Sequence, residues 1–438
     1  MMRVFLVVCV LSVCGPVIAA EESLAPTPAT KWLDTSLDGL LEVYRHFHSH
    51  PELSFHEVET AKRLAEEFKA AGAAVTEGVG KTGVVGLLKN GDGPMVLVRG
   101  DMDALPVTEQ TGLLFASKVQ AKDKSGNATG VMHACGHDVH ITSLVGVARY
   151  FAAHKDRWRG TILLIAQPAE EVGGGAETML KDRLFERFGK PQWALSLHVD
   201  ARLEAGKIGY RAGYALANVD SVDITLIGKG GHGAYPQGTI DPIVMAARLI
   251  LDLQTLVSRE NSPLEPAVVT VGSIHAGTKH NIIPERCVLQ LTVRSYKPEV
   301  REKLLRGIER KAKAVADGAG AVAPVIEFSD HTPAMRNDEE LVARLLPVFA
   351  GAVGREKVVE ADLSMGGEDF SQFGLAGVPA VQFRVGSVAP ATMAKVKDVA
   401  KELPSLHSPL YHPDAPLTLK TGLTAMFAAV EDLLRPAK

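Results

Sequence analysis

The most informative absences are of an extended basic run and of long apolar runs. No extended basic stretch occurs, and formal net charge is -4 at pH 7. A nucleic-acid partner needs a basic footprint, so that class of function is excluded. No low-complexity tract or internal repeat interrupts the chain, which excludes solenoids and disordered scaffolds. Only four cysteines occur among 438 residues, too few for a disulfide framework. Two of them, Cys9 and Cys14, fall in the first twenty residues, which also hold the one conspicuous apolar run, Val4 to Val13.

That run follows Arg3 and leads through Gly15-Pro16 to Ile18-Ala19-Ala20. It is too short for a membrane span and reads as a secretory signal over residues 1–20. The alternatives are an uncleaved anchor or lipidation at Cys14, for which Val13 is a poor preceding residue. The expectation is a periplasmic or secreted protein, with no membrane association once the signal is removed. The mature chain keeps Cys135 and Cys287. A disulfide between them is possible in an exported protein, but Cys135 lies among metal-ligand residue types and Cys287 in a strand-like run.

What is present is a cluster of such residues. Val131-Met-His-Ala-Cys-Gly-His-Asp-Val-His140 sets Cys135 and His137 two apart, with His133, Asp138 and His140 beside them. Thiolate, imidazole and carboxylate bind borderline transition metals. Further ligand types follow strand-like runs: Asp101 and Asp103 after Met95–Val98, Glu170-Glu171 after Thr161–Ala166, His198 after Trp193–Leu197. His407 and His412 compete as the last ligand. Ligands delivered from strand ends suit a metallohydrolase on a parallel-rich sheet. A metal lowers the pKa of its bound water, and an adjacent carboxylate takes the proton. One glutamate of the 170–171 pair can ligate while the other faces substrate. His46, His48 and His50 do not share a helix face and read as local structure. Gly80-Lys81-Thr82 is not a phosphate loop, because Val75 stands where a glycine is required.

The length predicts two domains. Residues 31–73 read as helical, and 117–130 as a polar loop. Helices are expected at 141–153 and 176–188. From about 215 the texture changes to strand, helix, two strands, helix, strand, a self-contained α+β unit. The expected fold is α/β, with a catalytic domain at 31–214 and 331–438 and an inserted domain at 215–330. His232, flanked by Gly230, Gly231 and Gly233, lies in that insert and suits a donor to a developing oxyanion.

Nine motifs in order carry a resemblance: His50-Pro-Glu-Leu-Ser-Phe55, Arg99-Gly-Asp-Met-Asp-Ala-Leu-Pro106, Met132-His-Ala-Cys-Gly-His-Asp138, Gln167-Pro-Ala-Glu-Glu171, Gly230-Gly-His232, Thr239-Ile-Asp-Pro-Ile243, Asn281-Ile-Ile-Pro284, Gly367-Glu-Asp-Phe370 and His407-Ser-Pro409. The chain resembles the dinuclear-metal aminoacylase/carboxypeptidase superfamily, in the amidohydrolase branch of hippurate and auxin-conjugate hydrolases, over roughly residues 36–435. The resemblance implies a metallopeptidase-like catalytic domain and a ferredoxin-like lid or dimerisation domain. It implies that Cys135, His137, Glu171, His198 and His407 bind two divalent metal ions. Zinc suits the mixed ligands, while manganese, cobalt and nickel are compatible. Glu170 corresponds to the general base and Asp103 to the aspartate that orients the site. His232 resembles a lid histidine that reaches a neighbouring subunit's site, so a homodimer or higher homo-oligomer is implied. Asn281 and Arg294 resemble residues that hold the substrate's carboxylate end. The implied reaction is hydrolysis of the amide bond of N-acyl amino acids, with dipeptidase or carboxypeptidase activity as the alternative. Three positions depart from the usual pattern. The loop 118–129 is longer, Gln237 replaces a second lid histidine, and Asp101 stands where carboxypeptidase cousins have a metal histidine.

Overall fold

The computed structural model describes residues 26–122 and 126–436. The signal reading over residues 1–20 lies outside them. An eight-stranded sheet organises the larger unit, in the order Ala74–Val79, Gly83–Asn90, Gly160–Gln167, Met95–Asp101, Trp193–Glu204, Ala380–Val388, Ile208–Tyr210 and Val358–Glu360. The four strands from Gly160–Gln167 to Ala380–Val388 run parallel, and three of the outer pairings, including both at the first edge, are antiparallel or mixed around them. Parallel strands are buried on both faces and read as continuous apolar runs. Ile162 to Ala166 shows this, with every side chain buried.

One face packs under the helices Pro28–Ser49, Val58–Ala70, His137–Ala153, Glu339–Val353 and Ala415–Leu433. Strand residues Val98, Leu164, Leu197 and Phe383 meet Phe47, Leu144 and Phe427 there. The opposite face buries Leu97, Ile165 and Ala194 against Met179, Phe370 and Phe373. Alternate strand residues therefore serve two cores, and this leaves the carboxyl ends of the parallel strands to share one rim.

The second unit is a four-stranded antiparallel sheet, in the order Ala267–Ala276, Arg286–Ser295, Asn218–Ile227 and Val325–Thr332. Helices Pro242–Thr255 and Pro298–Gly318 cover one face and enclose a separate core of Val222, Ile224, Leu249, Leu289 and Ile308. Along Asn218–Ile227 burial alternates strictly residue by residue, as a sheet with one covered face requires. Helix Pro242–Thr255 starts where Asp241 accepts the Ile243 amide at 2.8 Å and Pro242 occupies the first turn. The order strand, helix, two strands, helix, strand is the one expected from the sequence, and the fold is α/β with an inserted α+β unit.

Three local expectations change. The helix over 176–188 is two short helices, Gly175–Lys181 and Leu184–Phe188, separated at Arg183, whose φ is 60°. The strand expected to end on His198 continues to Glu204. The polar loop before the Cys/His stretch contains a small hairpin, Gln120–Lys122 with Ala128–Gly130.

Candidate metal centre and active site

The rim of the parallel sheet gathers the ligand-type side chains. Asp101 ends its strand, and Asp103 follows two residues later. Gln167 ends the neighbouring strand, in register with Asp101, and the chain then turns into Glu170-Glu171. His137 opens a buried helix. Gly136 makes the sharp bend between Cys135 and His137 at φ 76°, where an added Cβ would lie 2.5 Å from Val199 Cγ2. That bend lets thiol and imidazole approach one centre. His407 comes from the loop before the last helix at φ 69°, its amide donating to the Ala134 carbonyl at 2.9 Å.

Candidate ligand atoms of Cys135, Glu171 and His407 lie within 4.8 Å of one another. The same limit encloses those of His137, Glu170 and Glu171, and those of Asp101, His137, His140 and His198. Cys135 Sγ is 3.7 Å from His198 Nε2. Hydrogen bonding sorts the histidines. His137 Nδ1 bonds the Asp103 carbonyl at 2.8 Å, and His198 Nδ1 bonds the Val199 carbonyl at 2.7 Å. Each Nδ1 must donate there, so each Nε2 presents a lone pair to the cluster. His140 differs. Its Nε2 accepts the Val199 amide at 3.0 Å and its Nδ1 donates to Asp101 at 2.5 Å. Asp101 is also held by Arg99 at 2.7 Å. His140 and Asp101 are thus already paired within the protein and back the ligands. Among the described residues, exposed His412 bonds only the Leu410 carbonyl, at 3.3 Å, whereas His407 lies within the cluster with Cys135 and Glu171.

Among the described residues, nine buried side-chain polar atoms have no hydrogen-bond partner, and two of them, His137 Nε2 and Glu171 Oε1, lie together in the cluster. Buried polar groups are nearly always satisfied, so the orphaned pair, beside a thiol and two further imidazoles, fits divalent cations. Burial, then Glu171, pushes the Cys135 thiol well up. The metal-free protein therefore holds a thiol whose proton a cation must displace.

Asp103 does not ligate in this arrangement. Its two oxygens accept the amides of Glu170 and Glu171 at 3.1 and 3.0 Å, and Ser54 Oγ donates to it at 2.6 Å. It clamps the glutamate turn. Burial, then the neighbouring Glu368 and Glu171, pushes the Glu170 carboxyl well above the usual range. That side chain faces Glu368 and Asp369, with ligand atoms again within 4.8 Å.

The structure adds residues that spacing did not reveal. Arg99 is fully buried and binds Asp101, Glu368 at 2.8 Å, Asp369 at 3.0 Å and Gln167 at 2.9 Å. Three carboxylates outweigh its burial and keep it charged. Gln382 donates to Glu368 at 2.5 Å. A charged residue inside Met95-Val-Leu-Val-Arg99 was the available signal, since arginine is rarely buried unless paired. His48 is buried between Asp138 at 2.7 Å and Glu109 at 3.0 Å. The expectation of local structure holds for His46 and His50, whose rings stack at 4.7 Å.

His232, Asn281 and Arg294 all lie on the second unit. His232 and Asn281 are exposed neighbours, because strand Gly231–His232 pairs with Ile282–Ile283 and the Gly233 amide bonds the Asn281 carbonyl at 2.9 Å. His232 Nδ1 accepts the Ala234 amide at 3.0 Å, which leaves Nε2 as the proton-bearing, outward nitrogen. Arg294 is half-buried and spans the two units, donating to the Met365 carbonyl at 3.0 Å. Among the described residues, no hydrogen bond or ion pair joins His232 or Asn281 to the Cys135 cluster.

The sequence profile of peptidase family M20/M25/M40 matches residues 97–402. The chain is 37% identical over 338 residues to an N-acetylcysteine deacetylase of Bacillus subtilis, covering 76% of this chain and 84% of that one. It is 36% identical over 354 residues to thermostable carboxypeptidase 1 of Saccharolobus solfataricus, covering 80% and 86%. A solved Bacillus subtilis structure, described as a dinuclear metal binding peptidase from the M20 family, superposes with TM-score 0.72 at 30% identity, covering 92% and 99%. A Cys/His/Glu cluster on the rim of a parallel-rich sheet, buried at Cys135, His137 and His198 and open at His407, with matches of this extent, makes the chain a metal-dependent hydrolase of peptidase family M20/M25/M40.

Proposed function

We propose that the protein hydrolyses the amide bond of N-acyl amino acids. The observation that carries the reading is the pair of imidazoles, His137 and His198, each pinned through Nδ1 so that Nε2 faces Cys135 or Glu171. The N-acetylcysteine deacetylase relative supports the acylated class of substrate.

In this reading Cys135, His137, Glu171, His198 and His407 hold two divalent ions, for which zinc suits the ligand set. When bound, such ions acidify a coordinated water and polarise the scissile carbonyl. Glu170 accepts the proton of the attacking water and returns it to the leaving amine nitrogen. Asp103 keeps the 170–171 turn in place. His232, protonated at its outward Nε2, donates to the oxyanion from a second copy of the chain in a homodimer, and Asn281 and Arg294 hold the substrate's carboxylate. Export to the periplasm or outside the cell fits the amino-terminal sequence.

The test compares an N-acyl amino acid with the matching free dipeptide, on metal-loaded protein. Faster turnover of the acylated substrate supports the proposal. Preference for the dipeptide, with its free amine, makes the enzyme a peptidase and overturns it.

A further inference from the structure

The turn that carries Glu170 and Glu171 is gripped by two carboxylates, and only one has been accounted for. Three successive amides, of Ala169, Glu170 and Glu171, point away from the strand. Asp103 takes the second and third. The first donates to Glu57 Oε1 at 2.9 Å. Glu57 is completely buried, and its other oxygen accepts the Thr82 hydroxyl at 2.6 Å. Ala169 is left-handed at φ 50°, a conformation that costs a residue with a Cβ roughly 1 kcal/mol or more. Without a partner its amide would be a buried orphan on a strained residue. Glu57 comes from the segment before helix Val58–Ala70, outside the 97–402 family match. That same segment contributes Ser54 to Asp103. The amino-terminal region therefore braces the turn twice.

We propose that Glu57 is a positioning residue. Its carboxylate, anchored by Thr82, fixes Ala169 in the left-handed state and thereby aims Glu170 and Glu171. The inference rests on the reading of Glu170 as proton acceptor and Glu171 as metal ligand, and it deepens that reading. A displacement of about 1 Å at reacting groups costs on the order of a hundredfold in rate, so the brace acts on kcat more than on substrate affinity.

Three variants test it: Glu57→Ala, Glu57→Gln and Thr82→Val. Glu57→Ala lowers kcat by about tenfold to a hundredfold, with KM and metal content close to those of the unaltered chain. Glu57→Gln restores most of the activity, because its carbonyl still accepts the Ala169 amide and the Thr82 hydroxyl can turn to accept from the new amide. Amide hydrogen exchange over residues 167–173, measured on the metal-free protein, needs no substrate. It accelerates in Glu57→Ala by about tenfold or more and returns in Glu57→Gln. Unchanged kcat in Glu57→Ala overturns the proposal. So does a loss that follows metal content and is not rescued by glutamine, which marks a role in folding alone. If Glu57→Ala does not fold, Thr82→Val decides: reduced kcat and faster exchange support the brace, and unchanged values overturn it. If the unaltered chain cleaves no N-acyl amino acid, the functional reading falls, and the exchange measurement alone decides whether Glu57 holds the turn.

Discussion

At the scale of single residues, the chemistry depends on which lone pairs the protein leaves unpaired. Glu170 and Glu171 are neighbours with different surroundings. Both approach His137 Nε2, Glu170 at 3.9 Å and Glu171 at 3.8 Å, but Glu171 also faces His407, while Glu170 faces Glu368. Glu170→Gln should therefore abolish proton transfer and leave metal in place, lowering turnover by about a hundredfold to ten-thousandfold. Kinetics beside metal analysis check this, and near-normal turnover would refute the assignment. His48 supports a second expectation. Burial opposes its charge, but Asp138 and Glu109 outweigh burial and raise it to about 9. A raised folded value means that the ion pairs stabilise fully below the unfolded value of about 6.5 and fade as pH rises through 9. Linkage gives on the order of 3 kcal/mol. Thermal unfolding between pH 6 and 10 should show an alkaline decline that His48→Gln flattens. An identical decline in that variant would remove His48 as the cause. The clustering of Cys135, His137, Glu171 and His198 was legible from the sequence because thiol, imidazole and carboxylate recur beside strand ends. Arg99, Glu368 and His48 were not, because their roles lie in pairings between side chains up to 269 residues apart. The histidine triplet divides as its spacing requires, His46 and His50 stacking four residues apart while the middle member, His48, turns inward alone.

At the scale of elements, short bends decide where the ligands arrive. Gly136 is the sharpest case, since only glycine tolerates both its φ of 76° and the Val199 contact. Gly136→Ala should shift Cys135 against His137, cost about 1–3 kcal/mol of stability and weaken metal retention. Equilibrium dialysis and urea unfolding would show both effects, and full metal affinity would deny the bend its role. Periodicity showed the long helices and the inserted unit, because buried faces repeat along them. It missed the break at Arg183 and the extension of the His198 strand to Glu204. Those depend on a left-handed residue and on pairing of Val388 with Glu204, which no local pattern encodes. Cys287 was read as a strand residue, and it lies fully buried in Arg286–Ser295 within the second core, while Cys135 lies in the candidate metal cluster. Both are free thiols. Chelation should make Cys135 the thiol that becomes titratable, and a Cys135–Cys287 bridge in a peptide map of active protein would contradict the placement.

At the scale of the whole molecule, two units with separate cores meet at the site. Gly173, just past the glutamate turn, packs so closely on Thr332, the last residue of the second sheet's strand Val325–Thr332, that an added Cβ would lie 2.3 Å from its hydroxyl. Arg294 reaches across to Met365. His232 nevertheless faces outward, with no bond to the metal cluster of its own chain. If a second chain receives it, mixing inactive His232→Ala with inactive Glu170→Gln subunits should rebuild one intact site and recover part of the activity. No recovery after demonstrated subunit exchange would confine His232 to its own chain. The account as a whole stands on metal-dependent hydrolysis at this centre, and one titration tests it most directly. Protein stripped by chelator is given back zinc in steps, with bound metal per chain and turnover of an N-acyl amino acid measured together. The account predicts no turnover in the stripped chain and recovery as binding approaches two ions per chain, with neither in a Cys135→Ala, His137→Ala double variant. Turnover that persists without metal, or a native chain that retains none, would contradict it.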